Sequence, residues 1–255
     1  NYALQTRFED LGIAHADVTQ ASLYRNPYMS VDSISPENRS GNVVDFILLF
    51  NASDIWRVPL QTSASHHEYK ALQHTTIAYV LDTIRDIKRA YIQCLYKQKD
   101  KDTTKHIYQE MRYLRDIVNK RNQQGQSSDL DLYFANLMVD RWYITYDETD
   151  AELRNAYNDL EKILGIYPTD NTYTLTDTFM INDITLPTYE LCTQQAYMHR
   201  PEIRAHEEQL NQHYSQLRVE QANIFPDIQI GPYITKGTDD THHHGFLISF
   251  DVPFF

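Results

Sequence analysis

The sequence predicts a mainly α-helical chain, with long antiparallel coiled-coil helices and two β-hairpins. Three observations support this: a segment that occurs twice, a long run from Pro59 to about Asn122 without internal proline or glycine, and four short stretches in which apolar and polar residues alternate. Only 7 of the 255 residues are glycine, against an average near 7%. Such a composition favours long helices over a loop-rich fold.

The duplicated segment aligns Pro27 with Pro226 without a gap. Residues Leu4, Leu11, Val18, Met29 and Val31 then align with Ile203, Leu210, Leu217, Ile228 and Ile230. After a one-residue slip, Phe46 and Phe50 align with Phe246 and Phe250. Each copy therefore predicts an amphipathic helix, a proline, a strand, a polar turn and a second strand, which is the pattern of an internal repeat.

The first repeat begins with the end of a helix, residues 1–27, and continues as a β-hairpin, residues 28–58. Pro27 ends the helical spacing of Leu4, Leu11 and Val18. The alternation predicts strands at 28–34 and 43–50, joined by a polar turn.

A long helical hairpin is predicted over residues 59–165, with its tip near 122–128. Apolar residues recur at coiled-coil spacing, as in Ile77, Val80, Ile84, Ile87, Tyr91 and Cys94. Gly125 is the expected tight-turn residue, Ser128 or Asp129 the N-cap and Gly165 the C-cap.

The second repeat follows an irregular linker at residues 166–187. It predicts one helix over 188–226 and a second hairpin over 227–255. The strands of that hairpin are expected at 228–234 and 245–252.

Bulk properties exclude some classes of protein. The formal charge of −12 argues against a nucleic-acid-binding surface, which would be basic. No apolar run is long enough for a transmembrane helix. Cys94 and Cys192 have no metal-type spacing, so we interpret them as two unpaired thiols, with a disulfide as the alternative.

The order of these elements resembles the TolC-like outer-membrane efflux protein family. The tract from Arg200 to Leu210 resembles the opening of that family's second repeat, and the tract from Ala222 to Ile230 resembles its helix-to-strand entry. The helical-hairpin turn and helix end match at Gly125, Leu130, Leu164 and Gly165, and the strand-to-helix exit matches at Asp54, Ile55, Trp56 and Pro59. Since no signal peptide opens the sequence and both ends fall within predicted elements, we interpret the chain as a fragment truncated at both ends.

The resemblance implies a homotrimer in the outer membrane of a Gram-negative bacterium, with an extension into the periplasm. The hairpins would contribute to a trimeric membrane β-barrel, and the long helices to an α-helical tunnel. Such a duct serves a tripartite efflux or type I secretion system, as a passive exit for small molecules or metal ions. Its partners are a periplasmic adaptor (membrane fusion) protein, an inner-membrane pump and outer-membrane lipid.

One face of the alternating strands is expected to contact lipid. A bilayer does not tolerate open sheet edges, so these hairpins could span it only within a closed barrel. Asp45 and Ser249 are expected to face the lumen. The predicted lipid-facing residues are Met29, Val31, Phe46, Phe50, Ile228, Ile230, Phe246 and Phe250.

The tip of the helical hairpin is the expected adaptor-docking site, at Gln124, Gly125, Gln126 and Ser127. An alternative is that Gly125 only makes the turn, because glycine adopts positive φ readily.

No residues suggest catalysis, a cofactor or a metal site, so we do not expect an enzyme. Histidines 242–244 are expected in a solvated outer loop, with a metal site as the alternative. The metal site is the less favoured interpretation, because adjacent histidines of a strand point to opposite faces and cannot converge on one ion. Two other functions stay open: a periplasmic coiled-coil adaptor, which the helical hairpin alone would permit, and a helical scaffold protein without transport.

Overall fold

The computed structural model describes residues 2–35, 37, 41–166, 175, 177 and 187–251. The described helices are α1 (Tyr2–Ala21), α2 (Asp54–Gln123), α3 (Asp129–Leu164), α4 (Tyr189–His199) and α5 (Pro201–Asn223). The described strands are β1 (Tyr28–Ile34), β2 (Val43–Asn51), β3 (Ile228–Lys236) and β4 (His242–Phe250). The predicted combination of long helices with two hairpins is therefore confirmed, and each hairpin follows a helix, as the repeat requires.

The chain forms two compact units. One covers Tyr79–Thr193 with the first residues of the chain, and the other covers Thr6–Ala78 with the residues from Gln194 onward. The first unit therefore holds α3 and the part of α2 from Tyr79 onward, which together form the helical hairpin. The second holds all four strands.

The four strands form one antiparallel sheet in the order β1-β2-β3-β4. Within each hairpin the two strands pair with each other, β1 with β2 and β3 with β4, and β2 pairs with β3 across the two repeats. At that junction a Cβ on Gly231 would collide with the carbonyl oxygen of Leu48. Glycine is therefore required at this contact between β2 and β3.

Local signals define the helical hairpin. Gly125 has a φ of 71°, and Gly165 ends α3 with a φ of 70°, as expected for glycines in the left-handed region. The N-cap is Ser128, whose hydroxyl accepts the backbone N–H of Asp131. The two helices enclose a small core of Cys94, Ala156 and Leu160.

Helix α2 begins at Asp54, earlier than the predicted boundary at residue 59, and Pro59 lies within it. Proline removes one backbone hydrogen bond. The residues before it are nevertheless held by their surroundings, because Ser53, Asp54, Arg57 and Val58 are all buried.

The single helix predicted over 188–226 is wrong, since the structure divides it into α4 and α5. Pro201 is the first residue of α5, and Arg200 before it has an extended conformation with φ −70° and ψ 120°. Proline disfavours the helical conformation of the residue that precedes it.

Most of the predicted linker at 166–187, and position 252 at the predicted end of the last strand, lie outside the described residues. Both cysteines are free, Cys94 buried and Cys192 exposed. In the described part of the chain, none of the helices combines the length and apolar character needed to cross a membrane.

Candidate functional site

The eight apolar residues singled out in the strands all lie on one face of the sheet. Directly paired residues of antiparallel strands share a face, as do residues two apart along a strand. Val31 pairs with Phe46, and Ile230 pairs with Phe50. The same face carries Met29, Val31, Phe46, Phe50, Ile228, Ile230, Phe246 and Phe250, together with Leu48, Pro232, Ile234 and Ile248. At the turn end of the sheet it continues with Ser33, Val44, Lys236, His242 and His244.

This apolar face is largely exposed in the chain by itself. Phe246 is 64% exposed and Met29 is 63% exposed, while Phe46, Ile228 and Ile230 are half-buried. Soluble monomers rarely expose large contiguous apolar patches, and those that exist are usually covered by a partner or a membrane. Contact with lipid stays a prediction at this point.

The opposite face of the sheet is mixed and contains the polar positions. Asp45, expected in the lumen, lies directly opposite Asp32, and Ser249 lies opposite Gln229. The Ser30 hydroxyl donates to Asp32 at 3.1 Å. Two carboxylates placed directly opposite repel each other, so this face favours an aqueous environment, where the repulsion is screened.

The outer edges of β1 and β4 have no neighbouring strand among the described residues. Unpaired strand edges present rows of free N–H and C=O groups to which another chain can pair. Strands β2, β3 and β4 are 9 residues long, at the lower end of the roughly 9–11 residues that cross a bilayer as a tilted strand.

A network of charges connects both hairpins to the helices. The Arg25 side chain bridges two carboxylates, with Nε donating to Asp54 at 2.9 Å and Nη1 donating to Asp227 at 2.7 Å. Arg57 forms a second ion pair with Asp227 and donates to the carbonyl oxygen of Phe225 at 2.5 Å. The side chains of Asp54 and Arg57 are only 3% and 10% exposed.

These groups come from distant parts of the sequence. Arg25 precedes β1, Asp54 and Arg57 begin α2, and Asp227 precedes β3. The backbone N–H of Ile228 also donates to the Ser53 hydroxyl at 2.8 Å. The network therefore fixes the positions at which both hairpins leave their helices.

Arg25 and Asp227 are not singled out by the sequence patterns described above. A usable signal was present, because each lies within two residues of a proline that precedes a strand, Pro27 or Pro226, and the two charges are opposite. Pairing them nevertheless requires the sheet register, because they are separated by 202 positions.

At the tip of the helical hairpin, Gln124, Gly125 and Gln126 are exposed, and Ser127 is half-buried. The Asn122 amide donates to the Ser127 carbonyl oxygen at 3.1 Å. Next to the turn, hydrogen bonds from Ser128 hold the pKa of Asp131 below its ordinary value. The exposed residues of the tip thus stand on a hydrogen-bonded turn.

Ion pairs join the two helices of the hairpin. Lys97 binds Glu152 at 2.5 Å, and Lys101 binds Asp150 at 2.5 Å. The hydrogen bond from Lys101 lowers the pKa of Asp150, and the same bond raises the pKa of Lys101. Within the core, burial raises the pKa of Cys94, which favours an unreactive neutral thiol.

The expectation that residues 242–244 form a loop is wrong. His242, His243 and His244 are the first residues of β4 and pair with Lys236, Thr235 and Ile234. The turn is shorter than expected because the Gly237 N–H donates to the Thr241 carbonyl oxygen at 2.8 Å. Within the described chain, no group of three or more potential metal ligands comes together.

Comparison of the sequence with family models and with curated proteins gives no match. Comparison of the structure gives clear matches among solved proteins. A membrane protein from Pseudomonas aeruginosa matches 100% of this chain with a TM-score of 0.75 at 17% identity, and 64% of that protein is covered. CusC, a protein that forms a transmembrane channel, matches 100% of this chain with a TM-score of 0.76 at 17% identity, and 63% of CusC is covered.

The CmeC outer-membrane channel of Campylobacter jejuni also matches the whole chain, with a TM-score of 0.69, 17% identity and 59% of its own length covered. The chain thus spans about three fifths of the length of these structures. It has the fold of TolC-like outer-membrane channels, with their long helices and strand hairpins.

Proposed function

We propose that this chain, which has the fold of outer-membrane channels, is a subunit of such a channel in a Gram-negative bacterium. The channel is a passive exit duct for small molecules or metal ions and needs neither a catalytic residue nor a cofactor. The observation that carries the proposal is the sheet, which combines an exposed apolar face, a polar opposite face and open outer edges.

Closure of the sheet by further copies of the chain explains these three properties together. In a bilayer every backbone group must be paired, so an open sheet has to become a barrel. Three copies of a four-stranded sheet supply about twelve strands, within the range of bacterial outer-membrane barrels. We therefore propose a homotrimer in which the apolar face contacts outer-membrane lipid and the face with Asp45 and Ser249 lines the lumen.

The same sheet counts against the two other functions considered. A periplasmic adaptor or a soluble helical scaffold would leave the aromatic side chains of Phe246 and Phe250 in water, where both are more than half exposed. Burying such apolar surface is worth about 25 cal/mol per Å². A lipid environment removes this cost.

Conductance measurements test the channel directly. Full-length protein containing this chain, purified in detergent, should run as a trimer and open stepwise ion conductance in planar bilayers. A monomeric protein that forms no conducting species would contradict the proposal.

We further propose that the duct operates in a tripartite efflux or type I secretion system, with the tip at Gln124, Gly125, Gln126 and Ser127 docking an adaptor that leads to an inner-membrane pump. The support is the exposure of three of these residues on a stable turn. Within the first compact unit, the part of α2 from Tyr79 to Gln123 spans roughly 67 Å at 1.5 Å per residue. That length presents the turn far from the other end of the helical hairpin.

Substitution of Gln126 by Trp separates docking from turn formation, because Gln126 is not a positive-φ residue. Its backbone N–H, which donates to the Arg121 carbonyl oxygen at 2.9 Å, is kept in the variant. The variant should form trimers and conduct in bilayers but lose crosslinking to the adaptor and the export phenotype in cells. Substitution of the exposed Arg112 by Gln, within α2 and away from the tip, serves as the control. Normal crosslinking and export by the Gln126→Trp variant would refute docking at the tip while leaving the channel proposal intact.

A further inference from the structure

Two of the three consecutive histidines in β4 lie on the same face of the sheet. His242 pairs with Lys236 and His244 pairs with Ile234, whereas His243 pairs with Thr235. Side chains alternate along a strand, so His242 and His244 share one face and His243 belongs to the other. The objection that neighbouring histidines diverge applies to His243 but not to this pair.

The two histidines are exposed, and their backbone positions in the strand are closely spaced. All three histidines are exposed, and Cα atoms two positions apart in a strand lie roughly 6.8 Å from each other. Side chains of this spacing can lean toward one ion, which a histidine nitrogen binds at about 2.0–2.1 Å. Since both ligands come from one regular strand, the backbone holds them at a fixed separation before any ion binds.

The charges next to His242 and His244 are arranged in a way that is compatible with binding of a cation. Lys236 lies opposite His242, and its ammonium would repel a cation. That ammonium instead binds the Asp240 carboxylate at 2.7 Å. Asp240 is held in the turn with a φ of 62°, where its backbone N–H donates to the Gly237 carbonyl oxygen at 3.2 Å. The positive charge directly opposite His242 is therefore paired with a carboxylate of the turn.

The geometry points to a surface metal site in which His242 and His244 together bind one late first-row divalent ion, with water at the remaining positions. Imidazole ligands suit Cu²⁺, Ni²⁺ and Zn²⁺, and Cu²⁺ binds most tightly in this series. The site depends only on the regular strand conformation of β4. It goes beyond the proposed channel function and would exist whether or not the barrel conducts.

Titration with Cu²⁺ alone tests the site in untagged full-length protein purified in detergent. The variants are His242→Ala, His244→Ala and, as the matched control on the opposite face, His243→Ala. We expect His242→Ala and His244→Ala each to lower the affinity of the tightest Cu²⁺ site by at least about tenfold. Changes in residues that only support metal ligands already lower metal affinity by about that much. The His243→Ala variant should bind like the unaltered protein.

Electron paramagnetic resonance of the bound Cu²⁺ gives a second readout. The unaltered protein and the His243→Ala variant should show two equatorial nitrogen ligands, and the other variants at most one. The proposal is overturned if all three variants bind alike, or if His243→Ala causes the largest loss. Trimer content, measured alongside, shows that each variant is folded and keeps this result separate from the conductance test.

Discussion

The helical hairpin and the β-sheet differ in how completely each pairs its own polar groups and buries its own apolar side chains. The helical hairpin closes its turn with a capping box at Ser128, ends α3 at Gly165 and joins its helices through Lys97 and Lys101. The sheet leaves two strand edges open and one apolar face exposed. The helical hairpin thus satisfies its own polar groups, whereas the sheet leaves strand edges and apolar side chains that the described residues do not cover.

The largest effect is expected at the junction of sheet and helices. Substituting Asp227 by Ala leaves Arg57 without a carboxylate partner, and removing one partner of a buried pair costs about 3–5 kcal/mol. Because Asp227 is 27% exposed, we expect the lower end of that range as a loss in the free energy of unfolding. Denaturant unfolding measured in detergent checks the value.

The matched control is Asp82→Ala, which removes the exposed ion pair with Arg85 in the helical hairpin. Exposed pairs contribute about 1 kcal/mol or less, so the control should lose little. Equal losses in the two variants would show that the junction is not specially dependent on its charges.

The next effect distinguishes the two faces of the sheet. Substituting Phe46 or Phe246 by Arg places a charge on the apolar face, which costs about 2–4 kcal/mol if the site lies in the middle of the bilayer. Ser249→Arg puts the same charge on the opposite face of β4 and should be tolerated. The amount of trimer in isolated outer membranes is the measurement, and normal amounts of both phenylalanine variants would contradict the lipid assignment.

A smaller effect tests the self-sufficiency of the helical hairpin. Substituting Ser128 by Ala removes the hydroxyl that accepts the Asp131 N–H, and loss of an N-cap costs about 1 kcal/mol. Thermal unfolding should show this loss while trimer content and conductance remain unchanged. A Ser128→Thr variant, which keeps the hydroxyl, should restore most of the stability; if it is as unstable as Ser128→Ala, the cap is not the cause.

The smallest effect concerns acid. The pKa of Asp150 is lowered in the folded chain by Lys101, so its stabilising contribution is complete above the unfolded value of about 3.9 and is lost as the pH falls through the lower folded value. Asp150→Asn should therefore reduce stability by less than about 1 kcal/mol at neutral pH. The difference from the unaltered protein should shrink in strong acid; a difference independent of pH would rule out this ion pair as its source.

The sequence predicts the parts of the fold that depend on local chemistry. The sequence predicts Gly125 as the turn residue, Ser128 or Asp129 as the N-cap and Gly165 as the C-cap, because φ preference and capping act within a few positions. The structure has the N-cap at Ser128. The alternation of Met29 and Val31 and its recurrence at Ile228 and Ile230 placed all of these on one face. The structure confirms that they share it.

Other features depend on distant partners and were missed for that reason. Helix α2 extends to Asp54 because buried contacts outweigh Pro59, and the Arg25–Asp227 pair joins residues from both repeats. The early start of β4 at His242 follows from pairing with Lys236. Polar histidines beside a polar turn carry no local signal for a strand.

The most direct test of the central claim is a scan of solvent and lipid access along β2 in the trimer reconstituted in bilayers. Spin labels placed singly at residues 44 to 50 would be probed with oxygen, which concentrates in lipid, and with a water-soluble relaxing agent. We expect a period of two, with lipid access at Val44, Phe46, Leu48 and Phe50 and water access at Asp45 and Ile47. Leu49 is buried and should show little access to either agent. Equal access of the water-soluble agent to both sets would contradict the assignment of β2 to the wall of a membrane channel.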